Sequence, residues 1–441
     1  MSLPVITRIA PSPTGLLHLG TYRTAVFAYL YAKKMGGKFI VRIEDTDKAR
    51  SKEEYKDNIL ESLRWLSISY DALYIQSEHI TSHTSHLKRL IDAGSAYISK
   101  EEAKDGSGAI RELVRFRNTN EVVIFDDVIR GRIETDTTEL GDFVIAKSLT
   151  EPLYNFAVVV DDHEEGVTHV IRGEDHIANT PRQILIARAL GFPSPVYAHL
   201  PLVLAEDRTK LSKRKGALPV TAYRDMGYLP ESLLNFMAFI GWNPGGEREI
   251  YTLSELISVF DLSKIHKGGA IFNKEKLLWM NKEHMRLQSE EKKLEAVQPY
   301  FTDYSADILI KMLPTIIDRI SAYGELTALE KDEFRFFIER PLLDGDLVEK
   351  IVWKDREKSE ACTHLDALTK ILESADFSSP ETLKAAIMPY AEIHGKGNVL
   401  WPLRMSLSGK EKSVDPFTIS YILGKEEVLF RISAASKALD S

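Results

Sequence analysis

The sequence predicts an α/β protein in which a parallel sheet is split by an inserted α+β segment and followed by an all-α C-terminal region. Three observations carry that expectation. Apolar runs alternate with amphipathic stretches over the first ninety or so residues, a turn-rich texture interrupts the pattern from about 95 to 149, and beyond about 290 the periodicity is helical almost to Ser441. At 441 residues and 44% hydrophobic, the chain exceeds what one core organises, so several domains are expected.

Taken in order, Val5–Ala10 reads as a strand, Leu19–Lys34 as a helix, Lys38–Ile43 as a strand and Lys52–Leu66 as a helix, which opens a parallel sheet. Residues 95–149, with Gly106-Ser-Gly108 and short alternating runs at Val122–Phe125 and Phe143–Ala146, read as the insertion. The sheet then resumes. Tyr154–Val160 and Thr168–Ile171 read as buried strands, Asn179–Leu190 as a crossover helix ended by Gly191, and Val196–Leu204 as a further strand. Past Gly216 helices dominate, including an amphipathic Lys274–His284. The expected divisions are 1–94 and 150–205 for the two halves of the sheet domain, 95–149 for the insertion, 206–290 for a loop-bearing connecting domain and 291–441 for the helical region.

Composition narrows the function. No run approaches the roughly 18–20 apolar residues of a membrane span, and Met1 leads into the first strand without a signal-type region, so a cytoplasmic protein is expected. The single Cys362 cannot form an intrachain disulfide or a Cys-pair zinc site, so no metal site or structural zinc is expected. A net charge of -8 argues against nonspecific coating of nucleic acid, yet leaves room for an RNA approached through a local basic face.

Two strings carry chemistry. Pro11 to Thr21 places two prolines, Gly15 and then a helix after the first strand, so that backbone amides meet at the carboxyl edge of the sheet, where phosphates and carboxylates bind. Within it His18 can donate to a phosphate, and Gly20 has no side chain to keep a nucleotide from the backbone. Glu206 to Gly216 gathers five cations between a strand and a glycine, a loop that could close over a triphosphate or, alone, a solvated charge run.

At these strings the chain resembles the class I aminoacyl-tRNA synthetases, whose signatures are His-Ile-Gly-His and Lys-Met-Ser-Lys-Ser. Here they read His18-Leu-Gly-Thr21 and Lys210-Leu-Ser-Lys-Arg214. Arg8 to Pro13, Phe39 to Asp47 and Tyr154 to Gly173 resemble the bacterial glutamyl-tRNA synthetases in particular. The resemblance implies a Rossmann-type sheet domain and a helical anticodon-binding region containing Val399 to Gly409. It implies catalytic roles for His18, Lys210, Lys213 and Thr21, the last standing where the signature has histidine. ATP would meet His18, Gly20, Asp175, Ser212 and Lys213, with Mg2+ arriving on the nucleotide. Glutamate would meet Arg8, Ser12, Glu44, Tyr154 and Arg172: Glu44 opposite the ammonium, the arginines opposite carboxylates.

Physical chemistry points the same way, since a small dicarboxylate in a dry cleft needs planar, bidentate cations, and a buried guanidinium rejects glutamine. The partner implied is tRNA(Glu), tRNA(Gln) or both, served by a monomer. Arg404 is a candidate RNA contact that helix packing explains equally well, and Lys274 to Asn281 is either a contact to the tRNA stem or a plain amphipathic helix. Asp161, Asp162 and His163 read as a loop rather than as chemistry. Competing readings are a nucleotidyltransferase with no tRNA substrate, a tRNA-modifying glutamylating paralogue and a silent RNA-binding relative. The helical C-terminal third weighs against the first two, and His18, Gly20 and Lys213 against the third.

Overall fold

The computed structural model describes residues 4–102, 110–211 and 218–440. The chain forms two compact units, Met1–His284 and Met285–Ser441. Among the described residues no helix is long and apolar enough to cross a membrane.

The first unit is built on β1 (Ile6–Ile9), α1 (Leu19–Lys34), β2 (Lys38–Ile43), α2 (Glu53–Trp65), β3 (Ala72–Ile75) and α3 (Ile80–Asp92). Next come β4 (Ala96–Glu102), β5 (Ile110–Phe116), β6 (Val122–Asp127), β7 (Gly131–Asp136), β8 (Phe143–Ser148) and β9 (Glu151–Pro152). Then follow α4 (Tyr154–Glu164), β10 (His169–Gly173), α5 (Thr180–Leu190) and β11 (Val196–Leu200). The main sheet runs β3-β2-β1-β10-β11-β6-β7, parallel except for the β6–β7 hairpin.

Chain order reverses between β1 and β10. In parallel sheets that point leaves a crevice at the carboxyl ends of the two strands, because their connections leave to opposite sides. Arg8 and Arg172 sit on these two strands.

Burial explains the local choices. Leu19, Tyr22, Val26, Phe27 and Leu30 of α1 are all buried, as are Phe39, Ile40, Val41 and Ile43 of β2, so neither element has a solvent face. α5 has Pro181 in its first turn, where the missing N–H is harmless, and ends at Gly191, whose φ of 69° lies in the left-handed region.

The structure differs from the sequence reading in three places. Tyr154–Val160 is the start of α4 and not a strand. Its residues from Phe156 to Asp162 are buried around the whole circumference, and an all-apolar run has no periodicity to separate strand from buried helix. Asp161, Asp162 and His163 consequently lie on a helix and not on a loop. Val196–Leu204 is two strands, β11 and a short Val203–Leu204, separated by Pro201-Leu202.

Residues 95–149 contribute to two sheets. β4, β5, β8 and β9 form an antiparallel sheet of their own. The β6–β7 hairpin instead extends the main sheet, Asp127 pairing in parallel register with Tyr197. Phe116 and Ile145 of the smaller sheet share one core with Phe156, Val160 and Ile184.

The helix Lys274–Leu287 carries Asn281, fully buried, whose Oδ1 accepts from the Leu229 N–H and from Ser232 Oγ. The second unit is helical, its principal elements being Ala306–Arg319, Lys358–Ser374, Pro380–His394, Lys396–Ser408, Pro416–Leu423 and Lys425–Asp440. Buried Arg431 ties it together, donating to the carbonyls of Phe336 and Leu407 and to Glu427. Cys362 is buried and hydrogen-bonded to Ser436.

Candidate active site

A cleft of about 1300 Å³ opens at the β1/β10 crevice, and its walls include Arg8, Ser12, His18, Gly20, Thr21, Glu44, Tyr154, Arg172, Asp175 and Lys210. Every described residue singled out from the sequence for amino-acid or nucleotide binding therefore faces one space. Ser212 and Lys213 lie outside the described residues.

One end of the cleft is a buried ionic network. Arg8 presents Nε and Nη2 to the two carboxylate oxygens of Asp162 at 3.1 and 3.3 Å. Arg42, wholly buried on β2, donates to Asp162 at 2.9 Å and to Glu165 at 2.7 Å, with Glu44 at 3.4 Å and Asp161 at 3.8 Å. Asp161 also accepts from Gln76 and meets His83. Two guanidiniums thus face four carboxylates.

The local balance is negative, and the titrations follow. Burial pushes Asp162 up, but Arg8 and Arg42 outweigh it and hold the carboxyl below its usual range. Burial raises Glu165 to about 7 against the opposing pull of Arg42, helped by Asp162 and Asp161. Glu44 is likewise raised by burial, although Arg42 and Arg8 oppose it. A cation placed beside Glu44 would therefore be welcome.

Arg172, on the neighbouring strand β10, has a different environment. Its Nε–H donates to His199 Nε2 at 3.1 Å and its Nη2 to Thr180 Oγ1 at 2.8 Å, while the guanidinium lies 5.7 Å from the centroid of the Tyr197 ring. Among the described residues its Nη1 is buried without a partner. An unpaired buried guanidinium nitrogen is costly, and a ligand carboxylate would remove that cost. Tyr154, whose hydroxyl meets His176 Nδ1 at 3.0 Å, has its titration raised by burial.

The other end is open. His18 is the N-cap of α1, its Nδ1 accepting from the Gly20 N–H at 3.2 Å, which puts the ring proton on Nε2. A Cβ at Gly20 would stand 3.2 Å from the His18 ring, so a larger residue would press on that ring. Thr21 lines the cleft just inside the helix, its N–H bonded to the His18 carbonyl. Lys210 pairs with Asp175 at 3.3 Å, their side chains 59% and 50% exposed, so that this bridge is easily exchanged for a ligand. A Cβ at Gly173 would overlap the Asp175 carboxylate. Among the described residues no group of three or more His, Cys, Asp or Glu side chains could hold a metal ion.

Residues 4–105 and 98–279 match the family described as tRNA synthetases class I (E and Q), catalytic domain. The chain belongs to that family. Residues 292–436 match an anticodon binding domain, so the chain joins a synthetase catalytic domain to an anticodon domain and the reading as a nucleotidyltransferase without tRNA is not supported. The chain is 41% identical to a glutamate–tRNA ligase of Aquifex aeolicus over 97% of its own length and 98% of the relative's. It is 38% identical to glutamate–tRNA ligase 1 of Syntrophus aciditrophicus, covering 97% and 96%. A solved structure of the Elizabethkingia meningosepticum glutamate tRNA ligase in complex with its amino acid superposes with a TM-score of 0.87 at 31% identity, covering 99% of this synthetase and all of that chain.

The sequence reading passes over Arg42, Asp127, Thr180 and His199. Arg42 could have been found as a cation inside the apolar run Phe39–Ile43, and His199 as a polar ring inside Val196–Leu200. Asp127 had no local signal, because it reaches the site only through the parallel pairing of β6 with β11.

Proposed function

We propose that the chain ligates L-glutamate to the 3′ end of tRNA through a glutamyl-adenylate. The observation that carries this reading is Arg172, whose one nitrogen without a partner among the described residues is buried in the wall of the cleft that Arg8 and Glu44 also line. The side-chain carboxylate of glutamate completes Arg172. Glutamine would leave the guanidinium without a charge to pair, so it is rejected at the binding step. Glu44 receives the ammonium, and Arg8, held by Asp162, faces a carboxylate; Ser12 and Tyr154 close the pocket.

The α-carboxylate attacks the α-phosphorus of ATP, which carries Mg2+ in with it, and pyrophosphate leaves in line. No protein nucleophile is needed. His18 Nε2–H holds the phosphates, Gly20 lets the nucleotide close, Thr21 stands beside them, and Asp175 lies on the nucleotide side. Lys210 gives up Asp175 for the pyrophosphate charge, joined by Lys213 and Ser212. The terminal adenosine of tRNA then attacks the activated carbonyl and AMP departs.

We place the protein in the cytoplasm as a monomer, with tRNA(Glu) as carrier and tRNA(Gln) as the second candidate. Arg404 is a proposed RNA contact. It is half-buried, with Nε unpaired while Nη1 reaches the Glu411 carbonyl at 3.5 Å. Aminoacylation with labelled glutamate on separate tRNA(Glu) and tRNA(Gln) transcripts tests the reading. Charging of tRNA(Glu) that disappears in Arg172→Ala is the expected result; charging of neither transcript overturns it.

A further inference from the structure

Arg172 is held by a chain of groups that begins in the inserted segment. Asp127, at the end of β6, accepts at Oδ1 from the Ile129 and Arg130 N–H groups and at Oδ2 from the His199 N–H at 3.0 Å. Its Oδ2 also meets His199 Nδ1 at 2.6 Å. The other ring nitrogen, Nε2, faces Arg172 Nε at 3.1 Å. A guanidinium only donates, so Nε2 must be the acceptor and the single ring proton must sit on Nδ1, pointing at Asp127. Thr180 Oγ1, which accepts from Arg172 Nη2, lies 3.2 Å from the same Nε2.

Asp127, His199 and Thr180 are all buried, and burial lowers the His199 titration, keeping the ring neutral. The result is a guanidinium fixed at Nε and Nη2, with Nη1 left for a ligand.

We propose that Asp127 and His199 are positioning residues for glutamate selection, Asp127 fixing the imidazole tautomer so that its lone pair aims Arg172 at the substrate side-chain carboxylate. This rests on the reading of Arg172 as the glutamate contact and extends it to the β6–β7 hairpin. A bland alternative is that the pair only staples β6 to β11, which the His199 N–H already does.

Two variants separate these roles. His199→Phe keeps a ring between Phe125 and Tyr197 but has no lone pair. Asp127→Asn keeps every heavy atom in place but offers an N–H where Nδ1 needs an acceptor, reversing the tautomer so that Nε2–H opposes Arg172 Nε–H. Measured by tRNA-dependent pyrophosphate exchange, each should raise KM for glutamate about tenfold or more, leave KM for ATP within about twofold, and narrow the kcat/KM preference for glutamate over glutamine. Unchanged KM for glutamate, or KM for both substrates rising together, overturns the proposal. Should His199→Phe fold too poorly to assay, Asp127→Asn decides by the same criteria. Failure of the parent protein to charge glutamate would instead remove the underlying assignment of Arg172.

Discussion

The two ends of the cleft are built on opposite principles. At the end proposed for the amino acid, Arg8, Arg42, Glu44, Asp162 and Arg172 are buried and tied to one another or to neutral side chains before any substrate arrives. At the end proposed for the nucleotide, Lys210 and Asp175 are half exposed and paired directly at 3.3 Å. A small amino acid must be distinguished from its amide by one charge, which requires cations that cannot move to accommodate the wrong ligand. A triphosphate needs neutralisation that can be withdrawn when pyrophosphate leaves, and screened, mobile cations serve that end.

That contrast can be broken first at Arg42. Arg42→Ala leaves four carboxylates buried without their shared cation and should cost about 3–5 kcal/mol in urea denaturation, whereas Lys210→Ala should leave the urea midpoint where it was. Equal stability of the two variants would mean that the buried network is not what holds the amino-acid end.

Activity sharpens it next. Arg172→Ala should lower kcat/KM for glutamate by about a thousandfold with KM for ATP little changed. His18→Ala should act on kcat instead, by about a hundredfold, because its donor works on charge developing at the phosphates. A His18→Ala variant with an altered KM for glutamate alone would merge the two ends.

The smallest expected effect concerns Glu165. Its carboxyl titrates at about 7 in the folded protein, above the ordinary value, so the stability it contributes is present below the usual carboxylate range and is lost as pH rises through about 7. Glu165→Gln keeps the acceptor toward Arg42 without the ionisation. The Tm of the variant minus that of the parent should therefore become more positive from about pH 5 to about pH 8; a difference that is flat with pH would show that Glu165 is ionised at no cost.

Local patterns determined much of this protein. The alternation of β1, α1 and β2, the His18–Gly20 turn, the helix capped at Gly191 and the helical second unit all follow from periodicity, caps and turn residues. The resemblance of the two signatures, and of the strings around Arg8, Glu44 and Arg172, to the glutamyl-tRNA synthetases implies a glutamate and nucleotide site at these residues. Those cues suffice because they concern neighbours in sequence.

What only the tertiary structure decided is how charges are shared. Asp161 and Asp162 look like polar loop residues until α4 is seen to bury them against Arg42, 119 and 120 positions away by their numbering. The β6–β7 hairpin looks like part of an insertion until Tyr197 pairs with Asp127 and brings that carboxylate beneath His199. The reason is the range of the forces involved: helix and turn preferences act over a few residues, whereas a buried ion finds its partner through space and leaves no periodic trace in the chain.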